Sequence, residues 1–365
     1  MTTRRELMQW TAVSLGVIAS DLARATDDEL PKPLSILFLG GTGFLGPVQI
    51  EYALARGHRV TLFNRGRSAA GLFGDRAELL IGNRDSKIDQ GLTALQGDRR
   101  WDVVIDNSGY LPRHVRDSVK LLKGRVGRYV YVSTVAAYDP ASGANVDESS
   151  PLRRMADPQN EVMSWANYGP QKAECDLIVQ QLLGKSGTIV RPTYIVGPGD
   201  DTDRFTYWVE RAARGGEILG PTEPQNELQW VDVRDLCPWI VTLAEQNVPG
   251  IFNTAGPASP TSWENVLAVL AAQAKEPAKI HWATAEILKE LEIDLPLVSP
   301  GRPSRHFANH ASQDAGLYYR PLAETAAATL DWWRAQSEAR LAKVEGWPPP
   351  EKEREALAQL TAARG

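Results

Sequence analysis

The chain has 365 residues, of which 43% are hydrophobic, with a formal net charge of -5 at pH 7 and a pI near 5.7. This length accommodates one to three domains around a large buried core. The acidic balance excludes a protein that is held on nucleic acid mainly by phosphate contacts, so we expect a small-molecule partner. The cysteines, Cys175 and Cys237, and the histidines lack the spacing of a zinc site, so we predict no metal and two free thiols.

The N-terminal segment has the pattern of an export signal. Thr3–Met8 resembles the twin-arginine motif, Trp10–Ala19 is a short apolar stretch, and Ala23–Ala25 is a small-x-small cleavage site. The apolar stretch is too short to span a bilayer, which takes roughly 20 residues. We therefore predict a signal peptide over 1–25, a linker over 26–34, and a periplasmic protein without a membrane anchor. The alternative is an amphipathic N-terminal helix on a cytoplasmic protein.

A nucleotide-binding pattern follows the linker. Ser35–Leu39 is a compact apolar run, typical of a strand buried on both faces, and an amphipathic helix is predicted over Val48–Ala55. The sequence GGTGFLG lies between them. In such a turn, glycines permit the tight bend, the approach of the pyrophosphate and the close packing of the helix, whose N-terminal N–H groups face the phosphates. We therefore predict that the dinucleotide is bound by Gly40, Thr42, Gly43, Phe44, Leu45 and Gly46.

The second predicted strand, Val60–Phe63, is followed by Asn64, Arg65 and Arg67. An acidic residue at this point would bind the ribose hydroxyls of NAD, whereas an arginine matches a 2′-phosphate through its charge and its bidentate geometry. We therefore expect these three residues to contact the cofactor, and we favour NADP, with NAD as the alternative. The other interpretation of the two arginines is that they are solvated loop charges.

Further apolar runs alternate with helical patterns, which predicts an α/β fold with a doubly wound parallel sheet. These runs are Leu79–Ile81, Val103–Ile105, Tyr129–Val132 and Thr188–Val190. Ligands of such sheets lie beyond the carboxyl ends of the strands, so the residues after each run are candidates. We assign to the cofactor Asn83, Asn107, Ser108, Gly109, Arg191 and Pro192, and to catalysis Ser133 and Thr134.

Tyr168 and Lys172 stand at the start of an amphipathic helix that we predict to continue through Leu183. Their spacing places them one above the other on a single helix face. A phenol loses its proton near a pH of about 10, and a nearby ammonium lowers that pKa because it favours the phenolate. The pair can therefore exchange a proton with an alcohol while hydride moves between that alcohol and a nicotinamide.

These motifs, with RPTYIVGPGD at Arg191–Asp200, resemble the extended short-chain dehydrogenase/reductase superfamily in its NAD-dependent epimerase/dehydratase branch. The resemblance implies that Tyr168 is the acid/base and that Lys172 lowers its pKa and holds the nicotinamide ribose. It also implies that Thr134 orients the substrate oxygen, with Ser133 as the alternative.

The resemblance covers roughly residues 35–333 and implies the domain organisation. It implies a Rossmann-type domain over 35–192 and a smaller α/β substrate-binding region over 193–342 that interleaves with the sheet. The prolines at 348–350 and the charged residues after them predict, independently of the resemblance, a C-terminal tail helix over 343–365. Family members often dimerise through the helix that carries Tyr168, so a homodimer is one expected assembly.

The sequence departs from the family where members acting on nucleotide sugars often carry an arginine that grips the diphosphate. Leu228 and Gln229 stand at that place, which weighs against a nucleotide-sugar substrate. Tryptophans after Tyr194 can stack on sugar rings, although filling a core is their commoner role. The candidate substrate contacts are Tyr110, His114, Arg204, Phe205 and Trp208.

Export and nucleotide binding together favour a redox-neutral reaction. A periplasmic protein has no free cofactor pool, so a bound dinucleotide has to recover its oxidation state on the same substrate. We therefore predict an epimerase/dehydratase-type oxidoreductase that acts on a sugar or glycoside carbinol with a tightly bound cofactor. The alternatives are a cytoplasmic NADPH-dependent ketone or aldehyde reductase and, from another class, a non-catalytic nucleotide- or RNA-binding protein.

Overall fold

The computed structural model describes residues 31–67, 72–299, 301 and 304–362. The predicted signal peptide and most of the predicted linker lie outside the described residues. Within them, no helix combines the length and the apolar character needed to cross a membrane. The elements, in chain order, are β1 (Ser35–Leu39), α1 (Leu45–Ala55), β2 (Arg59–Asn64), β3 (Ala77–Ile81), β4 (Trp101–Asp106), α2 (Pro112–Leu122), β5 (Val126–Val132), β6 (Asn145–Val146), α3 (Trp165–Leu183), β7 (Gly187–Pro192), β8 (Tyr194–Val196), α4 (Arg204–Ala213), β9 (Gly216–Gly220), β10 (Trp230–Asp232), α5 (Val233–Glu245), β11 (Gly250–Thr254), α6 (Trp263–Ala271), β12 (Ala278–Trp282), α7 (Ala285–Glu290), β13 (His306–Phe307), α8 (His310–Asp314), α9 (Leu322–Arg334), α10 (Glu338–Leu341) and α11 (Pro350–Ala362).

The chain divides into two compact units. The first contains the described residues up to Tyr194, together with Val233–Ala255 and Phe307–Tyr318. The second contains Ile195–Asp232, Gly256–His306 and the described residues from Tyr319 onward.

The first unit is built on a seven-stranded sheet in the order β11-β7-β5-β4-β1-β2-β3. Every adjacent pair is parallel. The strand order reverses between β1 and β4, so their carboxyl ends form the crevice in which such folds bind ligands. The prediction of a Rossmann-type, doubly wound parallel sheet is confirmed.

The central strands of this sheet are buried on both faces, as their unbroken apolar sequences predict. Leu37, Val104 and Tyr129 belong to one cluster with residues of α2 and α3. Cys175 of α3 lies in the same cluster, and burial raises the pKa of its thiol to about 12. Cys175 and Cys237 are separate, buried thiols, as expected.

The helix that carries Tyr168 starts three residues earlier than predicted. Ser164 caps α3, because its hydroxyl oxygen accepts a hydrogen bond from the amide of Asn167 at 3.2 Å. A capped start at Trp165 fixes the first two turns, and these turns present Tyr168 and Lys172.

The second unit contains the short parallel pair β9–β12 and the pair β8–β10. Its core is rich in tryptophan, and the rings of Trp208 and Trp263 lie 4.9 Å apart. The last helix, α11, contributes Glu353 to a buried ion pair with Arg211 of α4 at 2.7 Å. In this structure the C-terminal helix is therefore packed on its unit.

Candidate active site

The glycine loop between β1 and α1 leaves space next to backbone N–H groups. A Cβ on Gly46 would lie 2.4 Å from the backbone of Gly41, so only glycine lets the helix pack this closely. Gly40 has a φ of +80°, and a Cβ there would lie 2.7 Å from Ser108. Gly43, by contrast, has no heavy atom within 4 Å of such a Cβ.

This loop is chemically suited to a pyrophosphate. Helix α1 begins at Leu45, and no side chain caps it, so the N–H groups of its first turn have no such partner. Thr42, Phe44 and Leu45 are half-buried around the exposed Gly43. The positive end of a helix next to open space is the arrangement that binds phosphate groups in dinucleotide folds.

The turn after β2 presents two arginines. The side-chain oxygen of Asn64 accepts a hydrogen bond from the amide of Gly66 at 2.8 Å, which closes a tight turn. Arg65 and Arg67 on this turn are exposed, and no described residue forms an ion pair with either guanidinium. The turn carries positive charge and offers no carboxylate for ribose hydroxyls.

Polar side chains after β3 and β4 are largely occupied by protein partners. The side-chain N–H of Asn83 donates to the carboxylate of Asp89 at 3.2 Å, and its side-chain oxygen accepts from the backbone N–H of Asp85 at 3.0 Å. The Ser108 hydroxyl donates to the carbonyl of Leu39 at 3.0 Å. Asn107 donates to Gln49 at 2.6 Å, but its side-chain oxygen is buried with no partner among the described residues. Asn107 is therefore the member of this group whose side chain keeps an unpaired acceptor.

A buried ion pair, which the sequence did not indicate, supports the same strand ends. Arg84 forms a bidentate pair with Asp106 at 3.1 and 2.9 Å, and the hydroxyl of Tyr129 donates to Asp106 at 2.6 Å. The available signal was Asp106, a carboxylate directly after the apolar run Val103–Ile105, and its partner Arg84 follows β3.

Lys172 of α3 is hydrogen-bonded at the carboxyl end of β5 and just beyond that of β4. Its ammonium is buried and donates to the carbonyls of Gly109 at 2.9 Å and Val132 at 2.7 Å. It also lies 4.3 Å from the centroid of the Tyr131 ring. Burial lowers the pKa of Lys172. An ammonium has three N–H donors, and the described residues provide hydrogen-bond acceptors for two of them.

The structure distinguishes Thr134 from Ser133 by their surroundings. The hydroxyl oxygen of Thr134 accepts a hydrogen bond from the amide of Ala136 at 3.1 Å, which leaves its own O–H to donate. The hydroxyl of Ser133 is buried and has no hydrogen-bond partner among the described residues. Thr134 is the more exposed of the two, at 9% against 4%, so its O–H is the better placed donor for an added ligand.

Arg191 does not have the surroundings expected of a cofactor contact. Its side chain is 1% exposed, pairs with Asp176 at 2.8 Å and donates to the hydroxyl of Tyr138 at 2.8 Å. This guanidinium is committed to an internal ion pair. Pro192, the last residue of β7, is likewise buried.

The five predicted substrate contacts fall in different places. Tyr110 lies in the first unit, with its ring centroid 6.5 Å from that of Tyr168. His114 turns toward Asp85 at 3.5 Å, and burial lowers the pKa of its imidazole. Arg204 lies in the second unit, half-buried, and donates to Thr202 at 3.1 Å.

The other two predicted substrate contacts are core residues of the second unit. Phe205 stacks on Trp230 at 6.5 Å, and the indole N–H of Trp208 donates to the carbonyl of Pro296 at 2.7 Å. Both side chains are buried, so they fill this unit's interior and do not present a ring to solvent. The apolar sequence of α4 could not distinguish these two roles.

One aromatic residue beside the acid/base candidate was missed. Trp165, the first residue of α3, places its ring edge-on to Tyr168 at 6.5 Å. Its position three residues before Tyr168 was the available signal, because such residues are neighbours on a helix.

Comparison with known proteins gives a family match over more than half of the chain. Residues 36–255 match the model of the NAD dependent epimerase/dehydratase family. The chain is 26% identical over 310 residues to the chloroplast stem-loop binding protein of 41 kDa b of Arabidopsis thaliana, covering 78% of this chain and 75% of that protein. It is 25% identical over 266 residues to the epimerase family protein SDR39U1 of Bos taurus, covering 70% and 85%.

Similar solved structures share the fold at low identity. The Bordetella bronchiseptica enzyme WbmH in complex with NAD+ has a TM-score of 0.62 at 17% identity, covering 84% of this chain and 100% of that one. The UDP-glucuronic acid 4-epimerase of Bacillus cereus in complex with NAD has a TM-score of 0.58 at 16% identity, covering 82% and 98%.

Proposed function

Because this chain belongs to the NAD-dependent epimerase/dehydratase family, we propose that it is an oxidoreductase-type enzyme acting on a carbinol carbon of a sugar or glycoside. The nicotinamide supplies the acceptor and donor of hydride when it is bound. The observation that carries the proposal is the buried Lys172 ammonium, which is fixed by two carbonyls and has one N–H left to donate. It lies one helical turn beyond Tyr168.

The catalytic roles follow from these contacts. The positive charge of Lys172 favours the phenolate of Tyr168, so the phenol can accept and return the proton of a substrate hydroxyl. Thr134 donates its free O–H to the same substrate oxygen and holds the carbinol in place. Ser133, whose hydroxyl is buried, has no catalytic role in this proposal.

The described residues fit a dinucleotide, and we propose NADP as the preferred one. The open space at Gly43 and the uncapped start of α1 suit the pyrophosphate. The exposed Arg65 and Arg67 suit a 2′-phosphate, and no acidic side chain stands on that turn. The free oxygen of Asn107 and the third N–H of Lys172 suit ribose hydroxyls.

The proposed substrate is a sugar or glycoside without a nucleoside diphosphate. WbmG of Bordetella bronchiseptica, a structural neighbour at a TM-score of 0.61 and 15% identity, was solved with NAD and UDP. In this chain, Leu228 and Gln229 stand where nucleotide-sugar enzymes of the family often have an arginine, and both are buried. The chain therefore lacks an arginine at the place in the sequence where those enzymes carry one.

We also propose that the enzyme works in the periplasm. The twin-arginine pattern of Thr3–Met8 supports this proposal, and that route carries folded proteins with their cofactor already bound. A preloaded cofactor without a replacement pool favours a redox-neutral reaction such as epimerisation.

The bound dinucleotide provides the first test. Protein purified from the periplasm is denatured, and the released nucleotide is identified by mass spectrometry. We expect NADP at near one equivalent, and we expect the double variant Arg65→Ser/Arg67→Ser to lose NADP while it still binds NAD. A correctly folded protein without dinucleotide, which turns over only with added NADPH, would instead identify an exchangeable-cofactor reductase.

The acid/base provides the second test. We expect Tyr168→Phe to lower the rate of hydride transfer by about 10²- to 10⁴-fold, because it removes only the exchangeable proton. Tyr318→Phe, on an exposed tyrosine of the same unit, is the matched control. The similarity to a stem-loop binding protein keeps a binding function as the second candidate. A Tyr168→Phe protein that keeps every measurable function would favour it.

A further inference from the structure

Four exposed apolar side chains lie near Tyr168, two of them in space and two in sequence. They are Tyr110, Val162, Met163 and Trp165, and we call them the apolar rim. Trp165 is 89% exposed and Tyr110 is 47% exposed, yet both rings lie 6.5 Å from the Tyr168 ring. Apolar groups clustered on a surface in this way mark a binding site more often than singly scattered ones.

The segment of the rim that precedes α3 is held in place by hydrogen bonds and an ion pair. The carbonyl of Val162 accepts from the side-chain amides of Asn167 at 2.9 Å and Gln171 at 3.2 Å. Glu161, directly before it, pairs with Arg113 of α2. A segment that is fixed while its apolar side chains face solvent loses little entropy when a ligand covers it.

The positions of the rings indicate which class of ligand the rim binds. The Tyr110 and Trp165 rings are inclined to the Tyr168 ring by 39° and 73°. A molecule that brings a hydroxyl to Tyr168 therefore meets the rim as well. Residues 162–165 are Val, Met, Ser and Trp, so this part of the rim offers no charge for a diphosphate. Val162 and Met163 are 66% and 49% exposed, so the rim offers apolar side chains in addition to the two rings that flank Tyr168.

We propose that Trp165 and Tyr110 bind an aromatic or similarly apolar aglycone, so that the substrate is a glycoside of a hydrophobic alcohol. This rests on the proposed function, because the sugar carbinol is then the group at Tyr168. Stacking on Trp165 fixes the glycoside, and the rim selects it over a free or methylated sugar.

The test compares ligands that differ only in the aglycone. Binding of 4-nitrophenyl and methyl β-glycosides of glucose, galactose and mannose to the holoenzyme is measured by titration calorimetry. We expect at least one 4-nitrophenyl glycoside to bind about tenfold or more tightly than its methyl partner. Trp165→Ala should remove this preference, Trp165→Phe should restore part of it, and Tyr318→Ala, at an exposed ring outside the rim, should leave it unchanged.

The outcomes separate this proposal from the proposed function. Equal affinity of each aryl and methyl pair in the wild type overturns the aglycone site, whatever the activity is. A change of oligomeric mass in Trp165→Ala, with glycoside binding unchanged, assigns the rim to a subunit interface and also overturns it. Undiminished hydride transfer in Tyr168→Phe overturns the proposed function, while the binding preference can still stand.

Discussion

Two glycines of the loop between β1 and α1 have different neighbours, so a substitution at each should change a different property of the protein. Gly46 faces the backbone of Gly41 at a distance that no side chain tolerates, whereas Gly43 faces open space. The first position therefore decides how α1 packs, and the second decides what can approach the loop.

We expect Gly46→Ala to destabilise the protein by about 1–3 kcal/mol, because the added methyl group meets rigid backbone and α1 has to move. Gly43→Ala should leave the melting temperature nearly unchanged, because its methyl group meets nothing within 4 Å and its φ lies outside the left-handed region. It should nevertheless weaken dinucleotide binding by about tenfold or more. Thermal denaturation and dinucleotide titration of both variants check this pair, and equal loss of stability would contradict it.

The ion pair between Asp176 and Arg191 leads to a second prediction, about the stability of the protein. Arg191→Met should cost about 3–5 kcal/mol, because it leaves a buried carboxylate without its partner. The double variant Asp176→Leu/Arg191→Met should recover most of that stability. Urea denaturation measures the three free energies of unfolding, and a double variant as unstable as Arg191→Met would contradict this interpretation.

The stability of the Arg191→Met variant should also depend on pH. Burial raises the pKa of Asp176 even beside Arg191, and removing the guanidinium raises it further. A carboxyl whose folded pKa is raised stabilises the fold below its unfolded pKa and loses that contribution as pH rises through the folded value. Arg191→Met should therefore be less stable at about pH 8 than at about pH 5, relative to wild type. Thermal denaturation at both pH values measures the difference.

At the scale of elements, one arginine joins three parts of the chain around the site. Arg113 of α2 pairs with Asp85 at 2.8 Å and with Glu161 at 2.5 Å, so the loop after β3 and the segment before α3 are tied to one helix. These contacts fix the segment that carries Val162 and Met163.

We expect Arg113→Met to speed backbone hydrogen exchange over 160–164 while exchange in β1 stays unchanged. Arg113 lowers the pKa of both Asp85 and Glu161. The stabilisation by the pair is therefore complete above the unfolded carboxyl values, about pH 4, and is lost as pH falls through the lower folded values. The melting-temperature difference between wild type and Arg113→Met should thus persist at neutral pH and shrink below about pH 4. A constant difference would contradict this assignment.

At the scale of the whole molecule, the second unit depends on the end of the chain. Glu353 of α11 pairs with Arg211, which also donates to the carbonyl of Gly215 at 3.0 Å. We expect Glu353→Ala to cost about 3 kcal/mol or more, because a buried guanidinium loses its counter-charge. Arg211→Met/Glu353→Leu is the matched control and should be closer to wild type. Denaturant unfolding followed by tryptophan fluorescence checks both, and equal stability of Glu353→Ala and wild type would contradict the role of α11.

The sequence by itself determined the elements whose physical cause is local. Strand Ser35–Leu39, the glycine turn and the Tyr168–Lys172 spacing follow from periodicity, steric freedom and helix geometry over a few residues. Alternating apolar runs then predicted the parallel sheet, because strands that are buried on both faces need helices between them.

Only the tertiary structure decided which polar groups pair with each other. Arg191 directly follows the predicted strand Thr188–Val190, where we expected a ligand contact, but its partner Asp176 lies on α3 and the two form an internal ion pair. Phe205 and Trp208 became core residues, and Trp165 became an exposed neighbour of Tyr168, although all three are aromatic residues on helices. Burial and pairing depend on what distant segments bring to the same place, and local sequence patterns carry no record of those distances.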